Sequence, residues 1–344
     1  MLVVGGWFDA EDLYGALNTY KAIEQQNPAT TNRLVMGPWT HGAWARPDWS
    51  RFGPLNFGSN TSEYYRQNLE TPFFNFYLKD KGSFNPAEAT VFNTGTNEWK
   101  SYPAWPPALT EGRTLYFRPA GGLSLVNPAA TKDISEALKG RAQSLDITPA
   151  KIKPTNGFTQ YISDPANPVP YTDGVHAGRN NEYMMEDQRF AAKRPDVLTF
   201  RTETLPEALT LAGPLTADLW VSTSGTDADF IVKVIDEQPD GTQRLVRAEV
   251  MRGRFRNSFS QPEAFTPNQP TEVKYELPDV LHTIQKGHRL LVQVQSTWFP
   301  LVDRNPQTFV PIATADAQDF QKATIRLYHD ASHASAVRVP VLAP

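Results

Sequence analysis

The sequence predicts an α/β layer followed by an all-β sandwich, most simply a jelly roll. Three observations carry this. A short apolar run ending in Gly5-Gly6, a helix-spaced segment and a second short apolar run form the pattern of strand, crossover helix and parallel strand. From about residue 87 the texture changes to short alternating segments separated by turn residues. There are also 29 prolines in 344 residues, which favours loops and strands over long helices.

Taken in order, Leu2 to Gly6 reads as a buried parallel strand. Residues 10–26 place Leu13, Leu17, Tyr20 and Ile23 roughly along one helical face, and Asn27-Pro28 ends that helix. "RLVMG", from Arg33 to Gly37, is the second strand. Residues 62–80 form an aromatic-rich helix offering Tyr65, Leu69, Phe73, Phe76 and Tyr77 to a core, with Pro72 as a break. The α/β part is assigned to 1–86 and the sandwich to 87–344. In the sandwich, "RTLYFRP", "DVLTFRTE", "LTADLWVSTS", "TEVKYELPDV", "HRLLVQVQST" and "ATIRLYHD" each alternate. "QPDGTQ" joins two further runs through Asp240-Gly241, a hairpin signal. Residues 127–195 are polar, proline-bearing and almost without period, and read as an irregular excursion packed on the other layers.

Composition narrows the partners. The formal net charge is −4 and no long basic run occurs, which argues against nucleic acid or an anionic membrane. No apolar stretch reaches the roughly 18 residues of a transmembrane helix. Met1 runs straight into Leu2-Val3-Val4, without the basic region or cleavage site of a signal peptide. Cysteine is absent, so disulfides, thiolate nucleophiles and cysteine metal sites are excluded, while the compartment stays open.

The chemistry concentrates at the front of the chain. Asp9 lies just past the carboxyl end of the first strand. His41, in "GPWTHGAW", lies past the corresponding end of the second. Open α/β sheets bind ligands along that rim. A carboxylate that orients an imidazole and stabilises its cation is the back half of an acid–histidine–nucleophile relay. In α/β-hydrolases the acid precedes the histidine along the chain, as here. Glu11 and Asp12 have a plainer reading, since acids in a first helical turn offset the macrodipole and cap free N–H groups.

"GGWFDAEDLYGALNTYKAIE" followed by "NRLVMGPWTHGAW" closely resembles the α-amino acid ester hydrolases, or β-lactam antibiotic acylases. These belong to the wider group of cocaine esterase, glutaryl acylase and X-prolyl dipeptidyl-peptidase hydrolases. "GPLTADLWVSTSGTDADFIVKVIDEQPDG" and "STWFPLVDRNPQ" resemble the jelly roll that group carries after its α/β-hydrolase domain. The resemblance implies that Asp9 is the triad acid and His41 the triad histidine. It makes Glu11 and Asp12 part of a carboxylate cluster receiving a substrate α-ammonium. Trp7 and Trp39, with Trp44, are candidates for an aromatic acyl pocket, with core packing as the alternative. The implied substrate is a small acyl ester or amide bearing an α-amino group, with no cofactor and no metal. Export to the periplasm is suggested by the resemblance alone.

The serine elbow, G-x-S-x-G, and the tyrosine of the oxyanion hole precede the acid in that family, and neither pattern occurs here. Ser124, in Gly122-Leu123-Ser124, has Val126 where the second glycine belongs, and it follows His41. The expectation is therefore the C-terminal portion of a longer hydrolase, inactive alone, with a complementary N-terminal half or a homo-oligomer as partner. Two alternatives stand beside it: a non-catalytic jelly-roll binding or assembly module, and a related acylase or X-Pro dipeptidyl-peptidase without α-amino preference.

Elsewhere, Asp227 and Asp229 are expected at a solvated strand entry, because a Ca²⁺ loop would need further oxygen ligands. His282, His288, His329 and His333 lack zinc-type pairing. His176 is placed on a surface loop. Trp298 and Phe299 are placed at a structural corner with an Asp303–Arg304 contact.

Overall fold

The computed structural model describes residues 1–128 and 157–343; residues 129–156 of the expected excursion lie outside the described residues. Strand β1 (Leu2–Gly6), helix α1 (Leu13–Gln26) and strand β2 (Arg33–Gly37) form the expected crossover, with β1 and β2 parallel from Leu2 opposite Arg33 to Gly6 opposite Gly37. The two glycines are required by close approach. A Cβ on Gly5 would stand 2.7 Å from the Ala16 Cβ of α1, and one on Gly6 would stand 2.2 Å from the Trp39 carbonyl oxygen.

A small hairpin of β3 (Arg51–Phe52) and β4 (Leu55–Asn56) precedes α2 (Thr61–Tyr65), which Asn60 caps by accepting the Glu63 N–H. The helical run continues through a wider π-type turn at Arg66–Glu70 into α3 (Thr71–Lys79), with Pro72 in its first turn. The break expected at Pro72 is thus an expanded turn, which absorbs a residue that cannot donate. Only the front of this run reaches the core. Tyr65 and Leu69 are buried, whereas Phe76 and Tyr77 are 38% and 48% exposed.

β5 (Ala89–Asn93) pairs parallel with β2, and β6 (Glu98–Tyr102) pairs antiparallel with β5, giving a four-stranded sheet in the order β1-β2-β5-β6. These two strands lie past residue 86, yet their hydrogen bonds join them to the first sheet. Local alternation reveals a strand but not the sheet it enters.

The remaining strands are β7 (Thr110–Arg118), β8 (Gly122–Ser124), β9 (Phe158–Ser163), β10 (Leu198–Arg201), β11 (Leu209–Thr223), β12 (Asp229–Glu237), β13 (Gln243–Arg252), β14 (Thr271–Ile284), β15 (Arg289–Gln295), β16 (Ala323–Tyr328) and β17 (Ala336–Leu342). They make an eleven-stranded sheet in the order β13-β12-β15-β10-β8-β7-β17-β11-β16-β9, with β14 also on β11. Most of the chain is therefore β-structure with few helices. The β12–β13 hairpin turns at Asp240-Gly241, where Gly241 has φ +86°. In β11 the register shifts between Gly213 and Leu215, where Pro214 has no N–H to give the ladder.

Alternation along β12 decides what lies on each face. Phe230, Val232 and Val234 enter the main core with Leu219, Val273 and Val292. Ile231 and Lys233 face the covering segment before β10 instead: Ile231 packs with Tyr171, Tyr183 and Trp298. Lys233 donates to Gln188 Oε1 at 2.8 Å and faces the Trp298 ring at 5.5 Å. Burial pushes its ammonium down to about 7.

Several polar expectations need correction. Asp227 and Asp229 are buried, not solvated. Arg254 donates twice to Asp227, at 2.6 and 2.8 Å, and Asn305 Nδ2 bridges the two acids at 3.0 and 2.8 Å. These partners arrive from loops distant in sequence, so local pattern gives no sign of them. Asp303 pairs with Arg252 rather than Arg304, which donates to the Pro165 carbonyl and lies over Phe299 and Phe320. His176 is exposed on its loop, as expected.

Asp236, His282 and His288 tie the layers together. The Asp236 carboxylate is 3.2 Å from His282 Nε2 and 2.7 Å from His288 Nδ1, and His282 Nδ1 meets the Thr94 hydroxyl, just past β5, at 2.8 Å. Burial opposes the Asp236 charge, yet the two histidines outweigh it and hold the carboxyl below its ordinary range. A carboxyl depressed on folding contributes stability above its unfolded value, about 3.9, and that contribution is lost as pH falls through the folded value. Asp236→Asn is therefore expected to cost about 3 kcal/mol at pH 7. Urea midpoints for the two proteins should converge in acid, and a constant difference across pH would contradict this account.

Candidate active site

The site forms where β1 and β2 end on one rim. After Gly6 the chain turns across β2: Trp7 N–H donates to the Gly37 carbonyl at 2.8 Å and Phe8 N–H to the Trp39 carbonyl at 3.0 Å. This fixes the turn carrying Asp9 against the loop carrying His41. His41 Nδ1 lies 3.0 Å from Asp9 Oδ2. The other Asp9 oxygen, Oδ1, accepts the N–H groups of Glu11 and Asp12 at 2.9 and 3.0 Å.

Asp9 is 3% exposed, while the His41 side chain is half-exposed. The hydrogen bond from His41 to Asp9, and then the Asp9 charge, raise the imidazole above its ordinary value, with smaller help from Glu11 and Asp12. Nε2 of His41 has no partner among the described residues. A buried, doubly capped carboxylate behind an imidazole whose other nitrogen is free is an arrangement suited to taking a proton and giving it back.

The expected substrate-binding residues divide. Glu11 is beside the pair but is ion-paired with Arg179 at 2.6 Å, a residue from the excursion that sequence alone did not bring forward. Asp12 stands at the start of α1 and makes no side-chain cap. The helix-entry role proposed for Glu11 and Asp12 belongs to Asp9 instead. Trp7 and Trp39 are core residues: their indole N–H groups are spent on the Phe92 carbonyl at 2.8 Å and the Thr61 hydroxyl at 3.1 Å. Both are at most 2% exposed, so neither offers a face to a ligand. Trp44 is the tryptophan beside the imidazole, with ring centroids 6.3 Å apart. Ser124, on β8, accepts the Val126 N–H in a turn of the β layer. Among the described residues no group of three or more His, Cys, Asp or Glu could hold a metal ion, and no helix is long and apolar enough to cross a membrane.

The β layer reaches the same rim. Tyr183, Arg247, Glu249 and Trp298 share a hollow with Asp9 and Glu11. Trp298, expected at a structural corner, thus also lines the site. Arg247 seals the layers by donating to the carbonyls of Trp7 at 3.2 Å and Asp279 at 3.1 Å.

Residues 84–338 match the family model for the X-Pro dipeptidyl-peptidase C-terminal non-catalytic domain. The chain belongs to this family. Residues 1–43 match the model for X-Pro dipeptidyl-peptidase of the S15 family. Cocaine esterase from Rhodococcus sp. (strain MB1 Bresler) is 27% identical over 345 residues, covering 99% of this chain and 56% of that protein. An aminopeptidase from a marine sediment archaeon, Thaumarchaeota archaeon, superposes with TM-score 0.89 at 38% identity, over 100% of this chain and 55% of that one. An α-amino acid ester hydrolase superposes with TM-score 0.87 at 38% identity, over 99% of this chain and 55% of that one. A CocE/NonD family hydrolase from Staphylococcus aureus, at 15% identity and TM-score 0.61, shares the fold. The chain is thus a member of the CocE/NonD and X-Pro peptidase group, whose homologues here are serine esterases and peptidases. It spans about half the length of the relatives it matches.

Two outcomes follow. Asp9→Asn is expected to lower the His41 pKa toward its ordinary value, read by NMR titration of the imidazole; an unchanged midpoint would mean the contact is not made in solution. Trp39→Ala is expected to cost about 3–5 kcal/mol in denaturant unfolding. A loss of less than about 1 kcal/mol would contradict its place in the core.

Proposed function

We propose that this chain supplies the acid–histidine half of a serine hydrolase acting on α-amino acid esters and related amides, including β-lactam amides. The observation that carries this is the 3.0 Å contact between Asp9 and His41 at the strand ends. The serine and its oxyanion donors would come from outside residues 1–344, since no G-x-S-x-G occurs in the sequence. In the assembled enzyme, serine attacks the acyl carbonyl while His41 accepts its proton at Nε2 and passes it to the leaving group. Asp9 holds the imidazole and stabilises its cation. Water or an amine then releases the acyl group. Glu11 and Asp12 seat the α-ammonium, which would displace Arg179 from Glu11. The β layer is a jelly-roll sandwich that closes one wall of the site, and the partner is the complementary N-terminal half.

Purified 1–344 is expected to give no acyl-enzyme burst with an activated α-amino acid ester; a stoichiometric burst would sink the reading. Joined to the missing half, the protein should show a kcat roughly 10⁴-fold lower in Asp9→Asn. Glu11→Gln should lose amino-bearing substrates selectively.

A second reading has one specific support. The family model over residues 84–338 is described as non-catalytic, so a binding or assembly module is the alternative. Ligand binding without hydrolysis, even with the other half present, would favour it.

A further inference from the structure

Residues 172–192 run over the solvent side of β12, β13 and β15 and reach the site from there. One end of this cover is fastened to the loop after β15, where the Tyr171 N–H donates to the Phe299 carbonyl at 2.9 Å. The other is fastened to β13: the Gln188 N–H donates to the Gln243 carbonyl at 2.7 Å, and the Leu245 N–H to the Glu186 carbonyl at 3.2 Å. Between these ends the cover carries Tyr183, which walls the hollow beside Asp9, and Arg179, which pairs with Glu11. That ion pair is solvent-exposed on both sides, and such pairs hold little. What lies beneath the cover therefore decides how firmly it shuts.

Beneath it is a lysine with no exposed surface, Lys233 of β12. Alternation turns it to the cover side, directly opposite Ala248 of β13 and Gln293 of β15. Its Nζ donates to Gln188 Oε1 at 2.8 Å and stands 5.5 and 5.9 Å from the ring centroids of Trp298 and Phe190. The other deeply buried cations among the described residues are better served. Arg254 rests on the Asp227 carboxylate, and Arg247 on two main-chain carbonyls. The seam around Lys233 is also incompletely paired: both ends of the buried Gln293 amide and the Trp298 Nε1 have no hydrogen-bond partner among the described residues. A layer of this kind adds little to the closed state.

Few charges face Lys233. Ala248, Gln293, Gln188, Phe190 and Trp298 bring none. Glu186 of the cover favours the ammonium through its charge, but burial outweighs it and brings the lysine down to about 7. Glu186 is itself raised by burial; it accepts the Asp173 N–H at 3.1 Å, and the charges acting on it from outside are Asp173 and His176. Asp187 and Arg189, next along the cover, pair with each other. An ammonium with one neutral acceptor in a dry seam is costly until water reaches it, and water reaches it only when the cover lifts.

We propose that residues 172–192 are a strap over the Asp9 hollow that lifts when Lys233 takes up a proton. With the amine neutral the strap is shut, and Tyr183 and Arg179 stand against the site. With the ammonium formed, the strap parts from β13 at Gln188 and Leu245, draws Tyr183 out of the hollow and frees Glu11 from Arg179. In the open form the lysine titrates near its ordinary value of about 10.4, so between the closed value and that one the open form holds the extra proton. Closure therefore strengthens as pH rises through this window, with the opening constant falling by roughly tenfold per pH unit, and it is weakest and constant below the closed value. The inference concerns access to the site, and its test reads opening, so it stands or falls apart from the acyl-transfer reading.

The test is hydrogen exchange of purified 1–344 at pH 7.5 and 8.5, read by mass spectrometry and corrected for intrinsic rates. At pH 7.5 the amides of 172–192 and Leu245 should be at least about tenfold less protected than the β11–β14 ladder, which marks local opening rather than global unfolding. Their protection should rise by roughly tenfold at pH 8.5. Lys233→Met, which fills the seam without a titrating group, should remove this pH dependence and leave the urea midpoint no lower. Lys233→Gln, neutral but polar, should remove it as well, so the result does not hang on how well methionine packs. Cover protection equal to that of the ladder, a change of less than about twofold between the two pH values, or the same pH dependence in both variants would each overturn the proposal.

Discussion

The Asp9 carboxylate is the interaction on which the site depends. Its two oxygens do different things. One accepts the N–H groups of Glu11 and Asp12 and so shapes the entry to α1; the other meets His41. A carboxylate at 3% exposure is tolerable because both oxygens are satisfied. The same burial gives the anion its hold on the imidazole, since little water competes for the charge. The turn is held from below by Gly5 and Gly6, which leave room for Ala16 and for the Trp39 carbonyl. Strand, turn, helix and histidine loop are therefore positioned together.

That unit is also fastened to the β layer. Asp279 of β14 accepts from Lys21 of α1 at 2.9 Å and from the Trp105 indole at 2.8 Å, while Arg247 of β13 binds the carbonyls of Trp7 and Asp279. Such contacts couple strand packing in one layer to the position of the turn in the other. They also explain why residues of β13 and the loop after β15 stand in the walls around Asp9.

Much of the fold was legible because it rests on local period. The alternating segments from "RTLYFRP" to "ATIRLYHD" are strands β7, β10 to β12 and β14 to β16, and Asp240-Gly241 turns the predicted hairpin. The crossover at the front follows from two short apolar runs around a helix. What local period cannot carry is which sheet a strand joins. β5 and β6 alternate like their successors but belong with β1 and β2, and β17 was not expected at all. The burial of Asp227 and Asp229 was hidden for a related reason: their partners Arg254 and Asn305 come from other loops.

The sequence by itself determined the order and type of the front elements, the placing of Asp9 and His41 after successive parallel strands, and the lack of cysteine chemistry. These are properties of neighbouring residues, and spacing along a strand or helix dictates them. Only the tertiary structure decided which charges meet. Glu11 finds Arg179 from 168 residues away, Trp7 and Trp39 turn into the core, and Asp227 is met by Arg254 and Asn305. Charge pairing and desolvation act through space, so their outcome depends on how the two layers pack and not on chain order.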